Sequence, residues 1–486
     1  MRVHDVDLPT GLKIGEEWRY SDRADIPVFN PADASLLVHV AGADEQDTKD
    51  AIDAAERGFN TWRKTSPRER AEILRRAFHL MQERKETIAH IITLEEGKTL
   101  NEARGEVNYA SEFFRWFADQ AVQMNGALSP APNGDKAIMV THHPVGIAYL
   151  VTPWNFPAAM ATRKIAPALA AGCSVILKPA TETPLTALYV ATLLEEAGVP
   201  ADAISVLPSK SARTVSEVMF ADPRVRKVSF TGSTEVGRVL LHNAAERVVN
   251  SSMELGGNAP LLVLDDADFD TAVEQTLVAK IRNAGESCIA ANRIFVARSL
   301  YPAFSDALAA KMAALNMGDG RVEGVDIGPL VNKDTQQKVA SLVDDAIAKG
   351  ANLLTGGKLP EGNGYFYPPT VLNDIPDDAE ILHTEIFGPV AVIIPFDDEE
   401  AVIAEANNTI FGLAAYVMSS DTAHAVSVAK RLEAGVVGIN KGVISDPAAP
   451  FGGMKQSGLG REGGYVGIEE FTETQYIGLD WPGSPQ

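Results

Sequence analysis

VGIAYLVTPWNFPAAMATRKIAPALAAGCSVILKP, residues 145–179, is the stretch whose reading decides the fold. A short β-rich run, GIAYLVT, stops at Pro153. A helix-length segment of small and apolar residues, PAAMATRKIAPALAAG, ends on Gly172, and a second extended run, SVILKP, follows. The rhythm then repeats through TPLTALYVATLLEEAG, ISVLP, SARTVSEVMFA, RKVSFTG and STEVGRVLLHNAAE. Such alternation predicts βαβ units and a parallel sheet flanked by helices, with ligands gathering at the carboxyl ends of the strands. A second β/α series starts near Pro260 with LLVLDDA and runs through RIFVAR to VVGIN at Asn440, predicting a second α/β domain.

Upstream, residues 46–61 and 67–118 carry helical periodicity, with Ile73, Leu74, Phe78, Leu80 and Met81 interleaved among Arg and Glu. Pro130, Pro132 and Asn133-Gly134 then interrupt two short extended runs, which reads as a hairpin. After Glu462 the pattern alternates again in FTETQYIGL, a strand that would pair with another strand, including one on a neighbouring subunit.

The bulk properties narrow the class. A chain of 486 residues expects two or three domains, and its 45% hydrophobic and 22% charged composition is that of an ordinary globular protein. Lys and Arg number 43 against 65 Asp and Glu, a net charge of -22, and no basic stripe tracks along any segment, so nucleic acid is not an expected partner. An anionic ligand would have to be drawn in by local arginines. The longest apolar stretch, from Val145 to Ala161, is broken by Pro153 and Pro157 and ends at Arg163-Lys164, so no membrane span is expected. The two cysteines, Cys173 and Cys288, are too few for a disulfide framework, and MRVHDVDLPT has no apolar signal core; a cytoplasmic protein is expected.

Two glycine motifs invite a nucleotide. Gly458-Leu-Gly-Arg-Glu-Gly463 has the literal dinucleotide spacing but follows no strand, and it reads as a loop. FTGSTEVG, residues 230–237, lies between a strand and a helix, where backbone N–H groups could meet a pyrophosphate, although an ordinary βα turn reads the same. Cys173 in LAAGCSVIL fits buried packing, whereas Cys288 in RNAGESCIAANR has glycine and small polar neighbours that suit an open site.

TPWNFP (152–157), KPA (178–180) with TP (183–184), FTGSTEVG, MELGGN (253–258), NAGESC (283–288), EIFGP (385–389) and PFGG (450–453), in this order and at these separations, resemble the aldehyde dehydrogenase superfamily over nearly the whole chain. The resemblance implies an α/β fold of two α/β domains, one Rossmann-like and one catalytic, with a small β oligomerisation element. It apportions residues 1–122 and 141–252 to NAD(P) binding, 253–440 to catalysis, and 123–140 and 463–486 to assembly as a homodimer or homotetramer.

The resemblance makes Cys288 the nucleophile, whose thiolate adds to an aldehyde carbon to give a thiohemiacetal able to expel hydride. Asn155 would supply an oxyanion amide, its bland alternative being a turn-capping asparagine. Hydride departure to a nicotinamide leaves a thioester that water must cleave, so a general base is needed, and Glu254 is the matching carboxylate. Glu462 would share that role or form a structural salt bridge. Around the cofactor the resemblance places Thr152, Pro153, Trp154, Lys178, Pro179, Ala180, Thr181, Lys210, Gly232, Ser233, Gly237, Leu255, Glu385 and Phe387. Lys178 reaches the adenosine ribose and Glu385 the nicotinamide ribose. NAD-preferring relatives place a glutamate at the position of Thr181, so NADP or dual use is favoured, with Glu182 as the counterweight. No metal is implied.

Within the superfamily the chain is most similar to the succinate-semialdehyde dehydrogenases, through Arg163, Arg282 and Ser445. Two guanidiniums and a hydroxyl would hold a carboxylate opposite the nucleophile, although the surplus of acidic residues offers both arginines structural partners. Three positions depart from that pattern: Ala290 stands where a second cysteine is common, Glu286 where glutamine is common, and the loop reads NKGVISD instead of beginning NTG. They leave glutarate semialdehyde or a sulfonated aldehyde open as substrate. A catalytically idle relative would have lost the nucleophile, base or oxyanion amide, and all three residues are present.

Overall fold

A computed structural model describes residues 1–20 and 25–480. The first sheet has eight strands, ordered Gly458–Leu459, Asn250–Glu254, Val225–Thr231, Ile147–Val151, Ser174–Lys178, Ile204–Val206, Leu12–Ile14 and Glu17–Arg19. Its central strands are parallel. In chain order the parallel part of the sheet starts at Ile147–Val151, grows to one side through Ser174–Lys178 and Ile204–Val206, then crosses back to Val225–Thr231 on the other. The loops leaving Val151 and Thr231 therefore diverge, and a crevice opens between them.

Strands at the middle of this sheet are covered on both faces, which is why IAYLV and SVILK are buried at every position and read as unbroken apolar runs. The outer strands are antiparallel additions without a βαβ signature: Leu12–Ile14 beside Ile204–Val206 with Glu17–Arg19 outside it, and Gly458–Leu459 beside Met253 and Glu254. The Gly458–Leu459 pairing corrects the reading of residues 458–463 as a loop. A Cβ on Gly458 would lie 2.3 Å from the Met253 carbonyl oxygen, so glycine is what permits the pairing.

The second sheet has seven strands, ordered Asn352–Thr355, Thr370–Asn373, Val390–Phe396, Arg293–Ala297, Pro260–Val263, Ala414–Met418 and Val436–Ile439, parallel except at Asn352–Thr355. The expected hairpin forms from Ala127–Pro130 and Ala137–Pro144, and the tail strand Thr472–Leu479 pairs antiparallel with the latter within the same chain, from Thr472 opposite Pro144 to Leu479 opposite Ala137. Residues 481–486 of the expected assembly segment lie outside the described residues.

The helical run 67–118 is three helices, Pro67–Glu83, Lys85–Glu96 and Leu100–Ala121. Gly97 ends the second in the left-handed region, and Thr99 starts the third in a capping box with Glu102. These helices present acids to the helices behind the first sheet. The Glu106 carboxylate accepts from the N–H groups of Ala158 and Ala159 at 2.9 and 3.2 Å, and Glu95 from those of Leu185 and Thr186 at 2.8 and 2.9 Å. Each satisfies the first turn of a helix that starts with proline and has no side-chain cap of its own. Among the described residues no helix is long and apolar enough to cross a membrane, and no group of His, Cys, Asp and Glu is arranged to hold a metal.

Candidate active site

A cavity of about 230 Å³ opens at the carboxyl ends of Ile147–Val151 and Val225–Thr231, and Asn155, Glu254 and Cys288 all line it. Cys288 arrives on a strained turn. Asn283, Ala284 and Gly285 are all left-handed, with φ of 55°, 51° and 77°. Gly285 has no substitute, because a Cβ there would lie 2.2 Å from the Gly388 carbonyl oxygen. Left-handed non-glycine residues cost on the order of 1–3 kcal/mol each and need to be held in place. Asn283 is held by its side-chain amide, which donates to Glu96 Oε1, the Asn155 carbonyl and the Glu286 carbonyl, and by its backbone N–H, which donates to Glu102 Oε1.

The same network fixes the loop carrying Asn155. Lys98 is buried, and its ammonium donates to Glu106 Oε2 at 2.6 Å and to the Asn155 carbonyl at 2.8 Å. The Asn155 amide nitrogen donates one hydrogen to the Glu286 carbonyl at 3.0 Å, which leaves its second hydrogen free. Among the described residues nothing accepts the backbone N–H of Cys288. Two donors are thus available in the cavity that Cys288 lines.

Burial raises the pKa of both Cys288 and Glu254. Burial pushes the Cys288 thiol up to about 12, with the Glu385 carboxylate adding to the effect and Arg163 and Arg282 opposing it. Glu254, 3% exposed at the end of its strand, has no hydrogen-bond partner for either carboxyl oxygen among the described residues. Burial first, and Glu462 second, hold it well above the usual carboxylate range.

Glu462 is not brought to the cavity lining. It accepts hydrogen bonds from Lys164 Nζ and from Ser229 at 3.4 Å, and lies 3.6 Å from Arg163 Nη1, so the salt bridge weighed from sequence is what the geometry contains. Arg163 does line the cavity, as do Arg282 and Ser445. Arg282 sits 4.9 Å from the Phe156 ring, and among the described residues neither its guanidinium nor the Ser445 hydroxyl has a hydrogen-bond or ion-pair partner. In a chain of net charge -22, Arg282 thus brings a positive charge to the cavity wall with no carboxylate bonded to it among the described residues.

Of the residues expected around a cofactor, Pro153, Trp154, Gly232, Ser233, Leu255, Glu385 and Phe387 line the cavity. Ser233 caps the helix Thr234–Ala245, whose first turn faces the crevice, and the buried hydroxyls of Thr231 and Thr234 have no partner among the described residues. A helix N-terminus with orphaned hydroxyls is suited to a phosphate group. Gly237 acts through packing: a Cβ there would lie 2.4 Å from Leu255 Cδ2. Glu385 accepts from the Gly257 N–H at 3.0 Å, with burial pushing its carboxyl up to about 7, and the Phe387 and Trp154 rings meet edge to face at 5.3 Å.

Thr152, Lys178, Pro179, Ala180, Thr181 and Lys210 do not line the cavity: Thr152 follows the strand Ile147–Val151, Lys178 to Thr181 lie at and after the end of Ser174–Lys178, and Lys210 follows Ile204–Val206. Thr152 N–H donates to the Lys178 carbonyl, and Thr181 donates to the Ser209 carbonyl. Lys178 is buried, which brings its ammonium down to about 8, and among the described residues it donates only to the Pro179 carbonyl. Lys210 is exposed.

Sequence reasoning missed Thr335 and Lys338, which enter the cavity from the helix Lys333–Lys349, and Tyr109, which enters from the N-terminal helices. Lys338 donates to the Glu385 carbonyl at 2.9 Å. These residues stand on amphipathic helices outside every glycine-rich motif.

Glu286, the acid in place of glutamine, is buried and accepts from the Val331 N–H at 3.1 Å. Burial, then Glu96, raise its pKa well above the ordinary value; Glu102 adds to this and Lys98 opposes it. A carboxyl raised in the folded state contributes its full stability below the unfolded pKa and loses it as pH climbs. Glu286→Gln should therefore raise the thermal midpoint more at pH 8 than at pH 5.5, by on the order of 3 °C. Equal midpoint changes at the two pH values would mean the site carries no buried carboxyl penalty.

The chain matches the model of the aldehyde dehydrogenase family over residues 18–477. It is 51% identical over 447 residues to a succinate-semialdehyde dehydrogenase of Paenarthrobacter nicotinovorans, covering 92% of this chain and 99% of that protein. It is 46% identical over 479 residues to the NADP(+) succinate-semialdehyde dehydrogenase of Escherichia coli strain K12, covering 98% and 99%. A glutarate-semialdehyde dehydrogenase of Pseudomonas putida is also 46% identical, over 465 residues and 96% of each chain. The solved structure of succinate-semialdehyde dehydrogenase from Burkholderia pseudomallei superposes with a TM-score of 0.95 at 45% identity, covering 97% of this chain and 98% of that one. With a cysteine, an unpartnered carboxyl and an asparagine amide converging on one cavity beside a Rossmann-type crevice, the chain belongs to the aldehyde dehydrogenase family of NAD(P)-dependent oxidoreductases.

Proposed function

We propose that this enzyme oxidises succinate semialdehyde, a short ω-carboxylated aldehyde, to succinate. The observation that carries the reading is Arg282, a guanidinium with no carboxylate partner among the described residues, lining the same cavity as Cys288 together with Ser445 and Arg163. Cys288 adds to the aldehyde carbon, and the resulting alkoxide receives hydrogen bonds from the Asn155 amide and the Cys288 N–H. A bound nicotinamide supplies the hydride acceptor. Glu254 then takes a proton from the water that cleaves the Cys288 thioester; lacking hydrogen bonds, its carboxylate is a strong base once ionised.

NADP is the favoured coenzyme. Thr181 carries no negative charge to oppose a 2′-phosphate, among the described residues Lys178 Nζ donates only to its neighbour's carbonyl, and Glu182 lies 3.5 Å from the Asn332 amide. We assign residues 1–122 and 141–252 to the cofactor-binding unit, 253–440 to the catalytic unit, and 123–140 with 463–486 to a cytoplasmic homo-oligomer. The exposed outer strand Thr472–Leu479, with Tyr476 at the surface, supports the last assignment.

Initial rates of NADPH and NADH formation with succinate semialdehyde and with butyraldehyde test this. We expect kcat/KM for the semialdehyde to exceed that for butyraldehyde by about 100-fold, the scale of one or two hydrogen bonds to a charged group, to be higher with NADP, and to lose most of its advantage in Arg282→Ala. Equal rates on both aldehydes in the unaltered enzyme would sink the anion pocket. A stronger response to glutarate semialdehyde would lengthen the substrate by one carbon.

A further inference from the structure

Tyr109 stands on the helix Leu100–Ala121, in a segment without any of the recognisable motifs, and its side chain lines the cavity. Its phenol oxygen accepts a hydrogen bond from Arg163 Nη2. The ring meets Phe113 edge to face at 5.0 Å. Arg163 is thereby confined: its guanidinium carbon lies 4.3 Å from the Phe451 ring and 5.4 Å from that of Phe113, and Nη1 faces Glu462 Oε2. The guanidinium at this end of the pocket is therefore shared with an internal carboxylate and does not present a free fork to the cavity.

A phenol that accepts from a guanidinium still has its own proton to donate. Among the described residues no group receives the Tyr109 O–H. Donation into its oxygen from a cation polarises that O–H and makes it a better donor, since hydrogen bonds in a chain strengthen one another in a low-dielectric site. Arg282 and Ser445 line the same cavity with their donors likewise unclaimed.

We propose that Tyr109 is a specificity-determining residue that donates its hydroxyl proton directly to the anionic end of the substrate. Arg163 then acts partly through it, as the cation that polarises the phenol. The proposal rests on the anionic-semialdehyde reading above. It assigns the carboxylate three direct donors, Arg282, Ser445 and Tyr109, with the Arg163–Glu462 pair behind the last of them.

The test compares Tyr109→Phe in the otherwise unaltered enzyme and in an Arg163→Gln background, measuring kcat and KM for succinate semialdehyde and butyraldehyde. Direct donation predicts that Tyr109→Phe raises KM for the semialdehyde about tenfold, the loss expected of one hydrogen bond to a charged group. The semialdehyde-to-butyraldehyde ratio of kcat/KM falls in step, and a cost of several-fold persists in the Arg163→Gln background. Calorimetric binding of succinate to the Tyr109→Phe enzyme should weaken by a similar factor. If the cost vanishes in the Arg163→Gln background, the hydroxyl serves only to hold Arg163 and the proposal is wrong. An equal KM increase for butyraldehyde would overturn it too, by making the effect one of ring packing. Failure of the underlying reading looks different: the unaltered enzyme itself would show no preference for the semialdehyde.

Discussion

Cys288→Ala is expected to abolish aldehyde oxidation, with kcat falling by more than about 10⁴-fold, the scale seen when a covalent nucleophile is removed. The reason lies in what else faces the aldehyde. Asn155 and the Cys288 N–H can polarise a carbonyl but cannot form a bond to carbon, and Glu254 is a buried carboxyl whose pKa is raised by that burial. Without a covalent adduct no alkoxide forms from which hydride can leave. Coenzyme binding, followed by fluorescence quenching or calorimetry, should persist, because none of the crevice contacts depends on the sulfur. Retention of most of the turnover would overturn the assignment. The pH dependence has a definite sign as well. The thiol is pushed up to about 12 and Glu254 is raised, and both must deprotonate to act, so kcat/KM should climb from neutral into alkaline pH as the reactive ionised fractions grow.

Glu254→Gln should give a different failure. The amide is nearly the same size and keeps the cavity's shape, but it cannot take a proton from water. We expect a rapid burst approaching one reduced coenzyme per active site, followed by steady-state turnover lower by about 10²- to 10⁴-fold, with thioester accumulating on Cys288. Rapid mixing measures the burst, and mass spectrometry of quenched enzyme measures the acyl adduct. Loss of the burst together with the steady state would relocate Glu254 to the first half of the reaction, as the group that ionises the thiol. Arg163 and Lys164 then gain importance, since both lower the pKa of Glu254 against the effect of burial.

What was legible in the sequence follows from where information is local. The central strands Ile147–Val151 and Ser174–Lys178 are buried on both faces, so each appears as an apolar run, and each is followed at its carboxyl end by a motif residue of the site. Asn155, Glu254 and Cys288 sit in short motifs, and it is the family resemblance of those motifs, not the strand pattern, that names them. The opposite holds where a contact spans long separations. Glu106 caps a helix whose first residues lie 52 positions away, and Glu95 one 90 positions away, so neither role leaves a local trace. Glu462 sits in a motif, but only the fold turns it toward Lys164, 298 residues earlier, and away from the cavity. Tyr109 and Lys338 sit on helices whose patterning records which face is covered, not which side chain at the margin looks into a crevice.

The eight-stranded sheet has a further consequence for how the polypeptide acquires its structure. One edge is laid down by the N-terminal strands Leu12–Ile14 and Glu17–Arg19, and the opposite edge, against the strand that ends in Glu254, is closed by Gly458–Leu459. During synthesis the Asn250–Glu254 strand thus leaves the ribosome long before its covering partner. It waits with unsatisfied main-chain groups, a template for intermolecular pairing. Maturation is therefore governed by late, high-contact-order events, and the carboxyl that becomes Glu254 reaches its dry surroundings only when the chain around residue 458 folds back. Slower translation would lengthen the nascent chain's exposure, whereas a chaperone that shields this edge would shorten it.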